Sequence, residues 1–193
     1  RHVGLACRDG LFLDQRLIDR RDGANWAAGQ RLLINRTVDA AVFENGAATI
    51  LGEGIAYDRC TVGIVTDCSG AEQLTEFDIR TTDQLYHVRR TQVDIVLPEG
   101  TAVLNAADPH IVRMAELCDG EVIFYGLAQE LPAIAEHRRK GGRALYLRDR
   151  RIMLAAAAVA LDIPVDKIRV GIDTFEREYE RPPHSRPRRV ANQ

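Results

Sequence analysis

Short apolar runs alternate along the chain with stretches whose apolar residues recur at helical spacing. The runs at His2–Cys7, Ala40–Phe43 and Val62–Val65 predict strands. The last two are unbroken apolar runs bounded by polar residues, a pattern typical of parallel strands buried on both faces. Further strands are predicted at Leu11–Leu13, Ala102–Leu104, Val122–Tyr125, Ala144–Leu147 and Arg151–Leu154.

Capping residues predict where several helices begin and end. Thr81 begins a helix that we expect to reach Val96, shortly before Pro98. Asp108 and Pro109 begin another, because proline is favoured at the first helical position. The remaining predicted helices are Ala24–Leu33, Leu131–Lys140, Ala155–Leu161 and Val165–Phe175; the Asp108 helix runs to about Leu117.

Local chemistry also predicts turns and one packed face. The Asp9-Gly10 pair favours a hairpin turn, and Asp149-Arg150 lies between two strands that pair plausibly as a second hairpin. Gly141-Gly142 indicates the C-terminal cap of the preceding helix. In the helix Ala24–Leu33 the residues expected on one apolar side are Trp26, Ala27, Leu32 and Leu33.

Repeated strand–helix–strand units predict an α/β fold, with a doubly wound, mostly parallel sheet flanked by helices. Residues 1–175 are expected to form this domain. Residues 176–193 are charged and rich in proline and arginine, which indicates a disordered tail or a linker.

The composition, the net charge and the cysteine spacing disfavour several classes of function. Of 193 residues, 46% are hydrophobic and 28% charged, as in an ordinary globular protein, and the net charge of -2 gives no bulk attraction to nucleic acid or an anionic membrane. No apolar stretch approaches the length of a membrane span. The four cysteines form no C-x-x-C pair, which disfavours a zinc site and favours reduced thiols in a cytoplasmic protein.

Several segments in the same order resemble the Mur-ligase-type domain of the cyanophycin synthetase family. The segment Ala41–Cys60 is similar to the family pattern A-V-L-E-x-A-R-G-G-I-L-R-E-G-L-x-F-D-R-C. Val65-Thr66-Asp67 stands where the family has Val-Thr-Asn, and Leu104–Pro109 where it has Leu-Asn-Ala-Asp-Asp-Pro. The segment Ala135–Ala144 also matches, so the resemblance covers about residues 1–175.

The resemblance implies a Mur ligase central-domain fold and ATP-dependent amide-bond formation with aspartate and arginine. It implies ATP and Mg²⁺ as cofactors, an ATP-grasp ligase domain of the same protein as partner, and a homo-oligomer. It implies no membrane partner, and nucleic acid is not an expected partner. The role of a family residue is assigned to a residue of this chain only where the two occupy matching positions in the family pattern.

The resemblance implies a metal site that this chain matches in part. Glu44 matches a glutamate that holds Mg²⁺, although an ordinary acid at a strand end fits equally well. Gln73 stands where the family has a metal-binding histidine, and an amide oxygen replaces an imidazole poorly. Arg89 stands at the position of a lysine that is carbamylated in Mur ligases, a change an arginine cannot undergo in that way. Ala47-Ala48-Thr49 replaces the family's Arg-Gly-Gly.

Two further residues match positions that contact the nucleotide in the family, Asn105 and Asp108. The alternative is structural: Asn105 ends a strand, and Asp108 caps the helix that begins at Pro109. His87 and His110 lie on predicted helices and are expected to be half-exposed helix residues, whereas Cys68 is a weak candidate nucleophile.

Two parts of the family pattern are missing from these 193 residues. No G-x-x-x-x-G-K-[ST] phosphate loop occurs, so the loop either precedes Arg1 or is absent. The family has a few dozen residues between the strand near Leu154 and the alanine-rich helix, but here Leu154 is followed directly by Ala155. Either the domain is shortened there or residues are missing.

Three functions remain open at this stage. The combined loss of histidine, lysine and Arg-Gly-Gly favours a degenerate domain, a pseudoenzyme that serves as a scaffold or an oligomerisation surface for a neighbouring ATP-grasp ligase domain. The second is an active ATP- and Mg²⁺-dependent amide ligase domain. The third is a module that binds a charged polymer through its cleft and tail.

Overall fold

The computed structural model describes residues 1–149, 151–156 and 159–164, the last of these by backbone alone. They fall into two compact units, Arg1–Tyr125 and a second that begins at Gly126. The predicted helix Val165–Phe175 and the predicted tail, residues 176–193, lie outside the described residues.

Ten strands occur among the described residues. They are β1 (Val3–Cys7), β2 (Gly10–Leu13), β3 (Arg16–Asp19), β4 (Ala40–Phe43), β5 (Cys60–Val65), β6 (Val96–Asn105), β7 (Glu121–Gly126), β8 (Arg143–Arg148), β9 (Arg151–Ala156) and β10 (Val159–Pro164).

Six α-helices accompany these strands in the same part of the chain. They are α1 (Trp26–Leu33), α2 (Ala47–Gly52), α3 (Thr82–Arg89), α4 (Thr91–Asp94), α5 (Pro109–Arg113) and α6 (Pro132–Arg139). Short 3-10 helices occur at Ala71–Gln73, Thr75–Phe77 and Met114–Leu117.

The first unit contains a four-stranded sheet in the order β3-β2-β1-β4. β1 pairs antiparallel with β2 and parallel with β4. The predicted hairpin between β1 and β2 is confirmed, and Gly10 has φ 140°, a conformation that glycine adopts without steric cost. β3 was not predicted, because its Arg-Leu-Ile-Asp sequence is too short and polar to form an apolar run.

Helix α1 packs on this sheet through a side that contains only Leu32 of the four residues predicted to share it. Ala28 and Leu32 are buried and form a cluster with Ala6 and Leu11. Trp26 and Leu33, predicted to share the packed side, are each 46% exposed. The prediction is confirmed for Leu32 and wrong for Trp26, Ala27 and Leu33. Ala28 and Leu32, one helical turn apart, already fill the space over the sheet.

The same unit contains the parallel strands β5, β6 and β7, with β6 pairing on both sides. Its core combines buried side chains of α3, α4, β6 and α5 with the following 3-10 turn, namely Leu85, Val88, Val93, Val96, Leu104, Ile111 and Met114. Gly63 lets α4 approach β5 closely, since a Cβ there would lie 2.5 Å from the Gln92 carbonyl oxygen.

The expectation that β4 and β5 are buried on both faces is wrong. Val42, Val62 and Ile64 are 54%, 52% and 56% exposed, whereas Phe43 is partly buried and Val65 fully buried. Side chains alternate between the two faces of a strand, so one face packs on helices while nothing in the described residues covers the other.

The helix predicted from Thr81 to Val96 is shorter and interrupted. Its start is confirmed, since Thr81 and Gln84 form a capping box. α3 ends at Arg89, the short helix α4 follows, and Val96 already belongs to β6, where it is fully buried and pairs with Cys60. The burial and strand pairing of Val96 therefore end the helix before the helical pattern of the sequence ends. The helix at Asp108 likewise ends early, as a 3-10 turn covers Met114–Leu117.

The second unit combines α6 with the hairpin of β8 and β9. The hairpin is confirmed, with Arg148 opposite Arg151 and a positive φ of 50° at Asp149. Helix α6 is also confirmed; it buries Ile134 and is followed by Gly141 at φ 92°.

The alanine-rich helix predicted at Ala155–Leu161 is wrong in the residues described. β9 continues through Ala156, and β10 begins at Val159 and pairs antiparallel with β9. The helical preference of alanine is a weak prior, and here cross-strand backbone pairing satisfies the same hydrogen-bonding groups.

The α/β class is confirmed, but the described strand pairs are mixed parallel and antiparallel rather than mostly parallel. None of the helices within the described ranges combines the length and hydrophobicity that a bilayer span requires.

Candidate functional site in the β4–β5 cleft

An open cleft of about 460 Å³ lies in the first unit and is lined by residues of β4, β5 and the segments that follow them. We call it the β4–β5 cleft. Its volume falls in the range of small-molecule sites, and it borders the carboxyl ends of strands, where open α/β sheets bind their ligands. The lining residues that carry charge are Arg8, Glu44, Asp67 and Arg89.

Glu44 follows β4 directly and is tied to the neighbouring strand. Its backbone amide donates to the Ala6 carbonyl at 2.8 Å, and its Oε2 accepts from the Arg8 amide at 2.8 Å. The carboxylate is exposed at the cleft and keeps its second oxygen for another partner.

Arg89, the last residue of α3, projects its guanidinium into the same cleft. Nη1 donates to the Asn45 carbonyl at a long 3.4 Å, and Nη2 lies 3.9 Å from Asp67 Oδ1. Nε is buried and makes no hydrogen bond with any described residue. The guanidinium is therefore a permanent cation held by long contacts between the ends of β4 and β5.

Asp67 is the acid that faces this cation. Burial opposes its ionisation, but hydrogen bonds from the Ser69 amide and hydroxyl and from the Thr66 hydroxyl, together with Arg89, outweigh that effect. The pKa of Asp67 therefore lies below its usual value, and the side chain is an anion at neutral pH.

A neutral hydrogen-bonded triad also lines the cleft. Asn45 Nδ2 donates to Tyr57 Oη and to Gln92 Oε1, each at 2.8 Å, and Gln92 Nε2 donates to Tyr57 Oη at 3.2 Å. Burial raises the pKa of Tyr57, and its ring packs against the Phe43 ring in a tilted arrangement, with the ring centroids 4.9 Å apart. Sequence reasoning missed this triad, because its members are 12 to 47 residues apart.

Asn105 and Asp108 lie at the carboxyl end of β6 and connect it to the end of β5. Asn105 Nδ2 donates to the Thr66 carbonyl at 2.8 Å, while its Oδ1 accepts from the Ala107 amide at 2.9 Å. Asp108 Oδ2 accepts from the Cys68 amide at 3.2 Å and Oδ1 from the His110 amide at 2.9 Å. We call these two residues the strand-end latch.

Gln73 lies apart from these groups. It is an exposed residue at the end of the 3-10 helix Ala71–Gln73 and is not among the residues that line the β4–β5 cleft. The cleft therefore brings together Glu44 and Arg89, but not Gln73, Asn105 or Asp108.

Comparison with known proteins gives the family. No protein-family model matches the chain. Curated proteins do: it is 32% identical over 161 residues to cyanophycin synthetase of Crocosphaera subtropica, covering 83% of this chain and 18% of that protein. It is 32% identical over 145 residues to the Synechocystis enzyme of the same name, covering 75% of the chain and 16% of the relative. The chain is related to the cyanophycin synthetases.

The similarity concerns only part of each cyanophycin synthetase. The chain matches between 16% and 24% of the length of these curated relatives. The match to the Nostoc cyanophycin synthetase, at 25% identity, extends over 214 residues although the chain has 193. That relative therefore contains residues within the matched span that have no counterpart here.

The residues present do not fit the magnesium site that relation to cyanophycin synthetases implies. Among the described residues, no group of three or more His, Cys, Asp or Glu side chains is placed to hold a metal ion. Glu44 is a suitable oxygen ligand, but Gln73 lies outside the cleft and Arg89 places a positive charge inside it.

The three other candidate residues from the sequence, Cys68, His87 and His110, lie outside the β4–β5 cleft. Burial, followed by the Asp108 charge, raises the pKa of Cys68 to about 11, so its thiol is protonated and unsuited to nucleophilic attack. His87 is an exposed residue of α3. His110 is half-buried and lies 3.9 Å from Asp83 and 3.4 Å from Asp108.

Proposed function

We propose that the chain is a degenerate ligase-like module of a cyanophycin synthetase-type protein. On this proposal it has lost metal-dependent ATP chemistry and serves as a scaffold for a neighbouring ATP-grasp ligase domain. The module would preserve the strand framework of its relatives while its cleft no longer assembles the reacting groups.

The observation that carries the proposal is the position of Arg89. The resemblance aligns it with a lysine whose carbamylated form supports a metal ion. Carbamylation requires a nucleophilic amine and yields an anion. The Arg89 guanidinium stays protonated and lies 3.9 Å from Asp67 in the cleft. A cation at this position repels a divalent metal ion. It also pairs with Asp67, a carboxylate that could otherwise help to bind the metal.

The contacts of the other matched residues support the same proposal. The side-chain oxygens of Asn105 and Asp108 accept hydrogen bonds from backbone amides, and the Asn105 side-chain amide donates one to a backbone carbonyl. These contacts hold strand ends and cap α5, which are structural tasks. Glu44 differs from these two residues, because its carboxylate is exposed and lines the cleft.

The deciding experiment measures metal binding and ATP turnover on the purified chain. Mn²⁺ binding is followed by electron paramagnetic resonance, and phosphate release from ATP by a coupled assay with Mg²⁺, aspartate and arginine. The full-length Crocosphaera enzyme serves as positive control. We expect no stoichiometric Mn²⁺ binding and no phosphate release above buffer.

An active ligase is the competing outcome, favoured by the exposed Glu44 carboxylate. It would be established by Mg²⁺-dependent phosphate release that Glu44→Gln abolishes and Glu99→Gln, on exposed β6 surface, leaves unchanged. The scaffold role makes a separate prediction: light scattering should give a mass above the 21.5 kDa of one chain. A monomer without ATP turnover would contradict the homo-oligomer that the family resemblance implies.

A further inference from the structure

The net charge of -2 conceals an uneven distribution of charge along the chain. Residues 1–125, the first compact unit, contain 12 Lys and Arg against 19 Asp and Glu. Residues 126–193 contain 14 Lys and Arg against 9 Asp and Glu. The first part of the chain is therefore acidic and the second part basic, and opposite charges of this kind attract protein surfaces to each other.

The positive charge of the second unit is concentrated in residues 137–151, which we call the basic segment. It contains six arginines and one lysine but a single acid, Asp149. The segment runs from the end of α6 through β8 to the start of β9. The side chains of Arg139 and Lys140 are 71% and 68% exposed, and both pair with the same acid, Glu136. The end of α6 therefore keeps a net positive charge.

The β8–β9 hairpin places further arginines beside α6. Arg148 and Arg151 are opposite each other in the ladder, so their side chains leave the sheet on the same face. Tyr146, two residues before Arg148, is buried on that face. The Arg138 guanidinium of α6 lies 5.3 Å from the centre of the Tyr146 ring. Arginines from α6, β8 and β9 are therefore neighbours on one face of the second unit.

The first unit carries a complementary stretch at residues 72–83, which we call the acidic segment. It contains one cation, Arg80, and four acids, all of them exposed: Glu72, Glu76, Asp78 and Asp83. Glu72 and Glu76 lie on the two successive 3-10 helices that precede α3. Asp78 and Asp83 have exposed ion pairs with arginines at 3.4 and 3.6 Å, contacts that contribute little and are easily exchanged for others.

We propose that copies of this chain associate head to tail, with the basic segment of one copy against the acidic segment of the next. Arginine suits this contact, because its planar guanidinium can donate two parallel hydrogen bonds to one carboxylate. A two-fold contact of either segment with itself would place like charges together and is disfavoured. A contact between unlike surfaces continues into a ring or an open row of copies. The inference does not depend on whether the module has lost ATP chemistry.

Sedimentation velocity on the intact 193-residue chain tests the proposal. We expect the weight-average mass to rise with protein concentration above the 21.5 kDa of one chain. Because salt screens exposed charges, the apparent dissociation constant should rise at least tenfold from about 50 to 300 mM NaCl. If the two segments instead attract each other only within one chain, the mass stays at that of a single chain at every concentration.

Charge reversals decide which surfaces meet. Arg148→Glu in the basic segment and Glu76→Lys in the acidic segment should each weaken self-association at least tenfold, and Lys140→Glu gives a second variant of the basic segment. An equimolar mixture of Arg148→Glu and Glu76→Lys should associate again, because each copy keeps the segment that the other has lost. The matched controls, Arg36→Glu and Glu99→Lys, reverse exposed charges outside both segments and should leave association unchanged. Thermal unfolding checks that all variants fold.

Three results would overturn the proposal. A chain that stays monomeric at low salt has no such contact. An oligomer that neither salt nor the reversals in the two segments weaken is held by another surface, which leaves the homo-oligomer of the family resemblance intact. If only one reversal weakens association, or if the mixture of the two variants fails to associate, the basic segment does not meet the acidic segment.

Discussion

Polar side chains connect the carboxyl ends of two pairs of strands in this molecule. They connect β5 to β6 in one place and β4 to β5 in the other, but their contacts differ. β5 and β6 are paired, and the latch residues Asn105 and Asp108 join their ends through hydrogen bonds of 2.8 to 3.2 Å. β4 and β5 are not paired, and Arg89 lies between their ends with contacts of 3.4 and 3.9 Å. Its buried Nε makes no hydrogen bond within the part of the chain that the structure describes.

The difference shows that strand pairing decides what a strand-end residue does. Where backbones are joined, a side chain lies close to fixed amides and carbonyls and becomes part of the framework. Where they stay apart, the polar groups border open space and can meet a ligand or another chain. The comparison predicts that latch substitutions affect stability, whereas substitution of Arg89 affects the electrostatics of the cleft.

The largest expected effect comes from Asp108→Ala. This change removes the cap of α5 and the acceptor for the Cys68 amide, and we expect the free energy of unfolding to fall by about 2 kcal/mol. Urea denaturation measures it. Asp108→Asn keeps an acceptor for the His110 amide and should lose less than half as much. A loss for Asp108→Ala within error of zero would contradict the latch.

Asn105→Ala should have the next largest effect. It removes the hydrogen bonds to the Thr66 carbonyl and from the Ala107 amide, and the expected loss of unfolding free energy is about 1 kcal/mol. Asn105→Asp retains the acceptor but not the donor, so its loss should come mainly from the Thr66 contact. If the alanine variant were as stable as the parent, the ends of β5 and β6 would be held by backbone pairing alone.

Arg89→Met should change stability by less than about 0.5 kcal/mol, because its contacts are long and its charge is partly solvated. It should instead raise the pKa of Asp67 toward the usual aspartate value, since Arg89 helps to lower it. Carbon-13 NMR titration of the Asp67 carboxyl measures the shift. Arg90→Met, which removes an exposed pair with Asp94 on the same helix, is the control and should leave that pKa unchanged.

The smallest effect is the pH dependence that Asp67 contributes. Its folded pKa is lowered, so its contribution to stability is complete above the unfolded value of about 4 and is lost as the pH falls through the folded pKa. The difference in unfolding free energy between the parent and Asp67→Asn should therefore shrink below about pH 4. A difference that stayed constant from neutral to acidic pH would show that Asp67 gains nothing from its neighbours.

Local patterns predicted the elements whose signals lie within a few residues. The Asp9-Gly10 turn, the Thr81 cap and the hairpin at Asp149 are confirmed, because turn and cap geometry depends on adjacent residues. The helices predicted to Val96 and at Ala155 failed, since pairing with distant strands decided those segments.

The candidate site could be predicted only in part. Glu44 and Arg89 were identified from the family pattern, and both line the cleft. Gln73 was identified in the same way, but it lies outside the cleft, as sequence order does not show which loops come together. Gln92 carried no signal, because its role depends on Asn45 and Tyr57, which approach it only in the folded chain.

The sequence by itself determined the α/β class and the location of most strands and helices, and it led to the hypothesis that Arg89 stands in place of a lysine of the family. Only the tertiary structure decided that β4 and β5 each have one edge unpaired among the described strands, that Val42, Val62 and Ile64 are exposed, and that Asn105 and Asp108 act as a latch. The physical reason is that propensity, caps and side-chain chemistry act over a few residues. Burial and strand pairing depend instead on which distant segments meet.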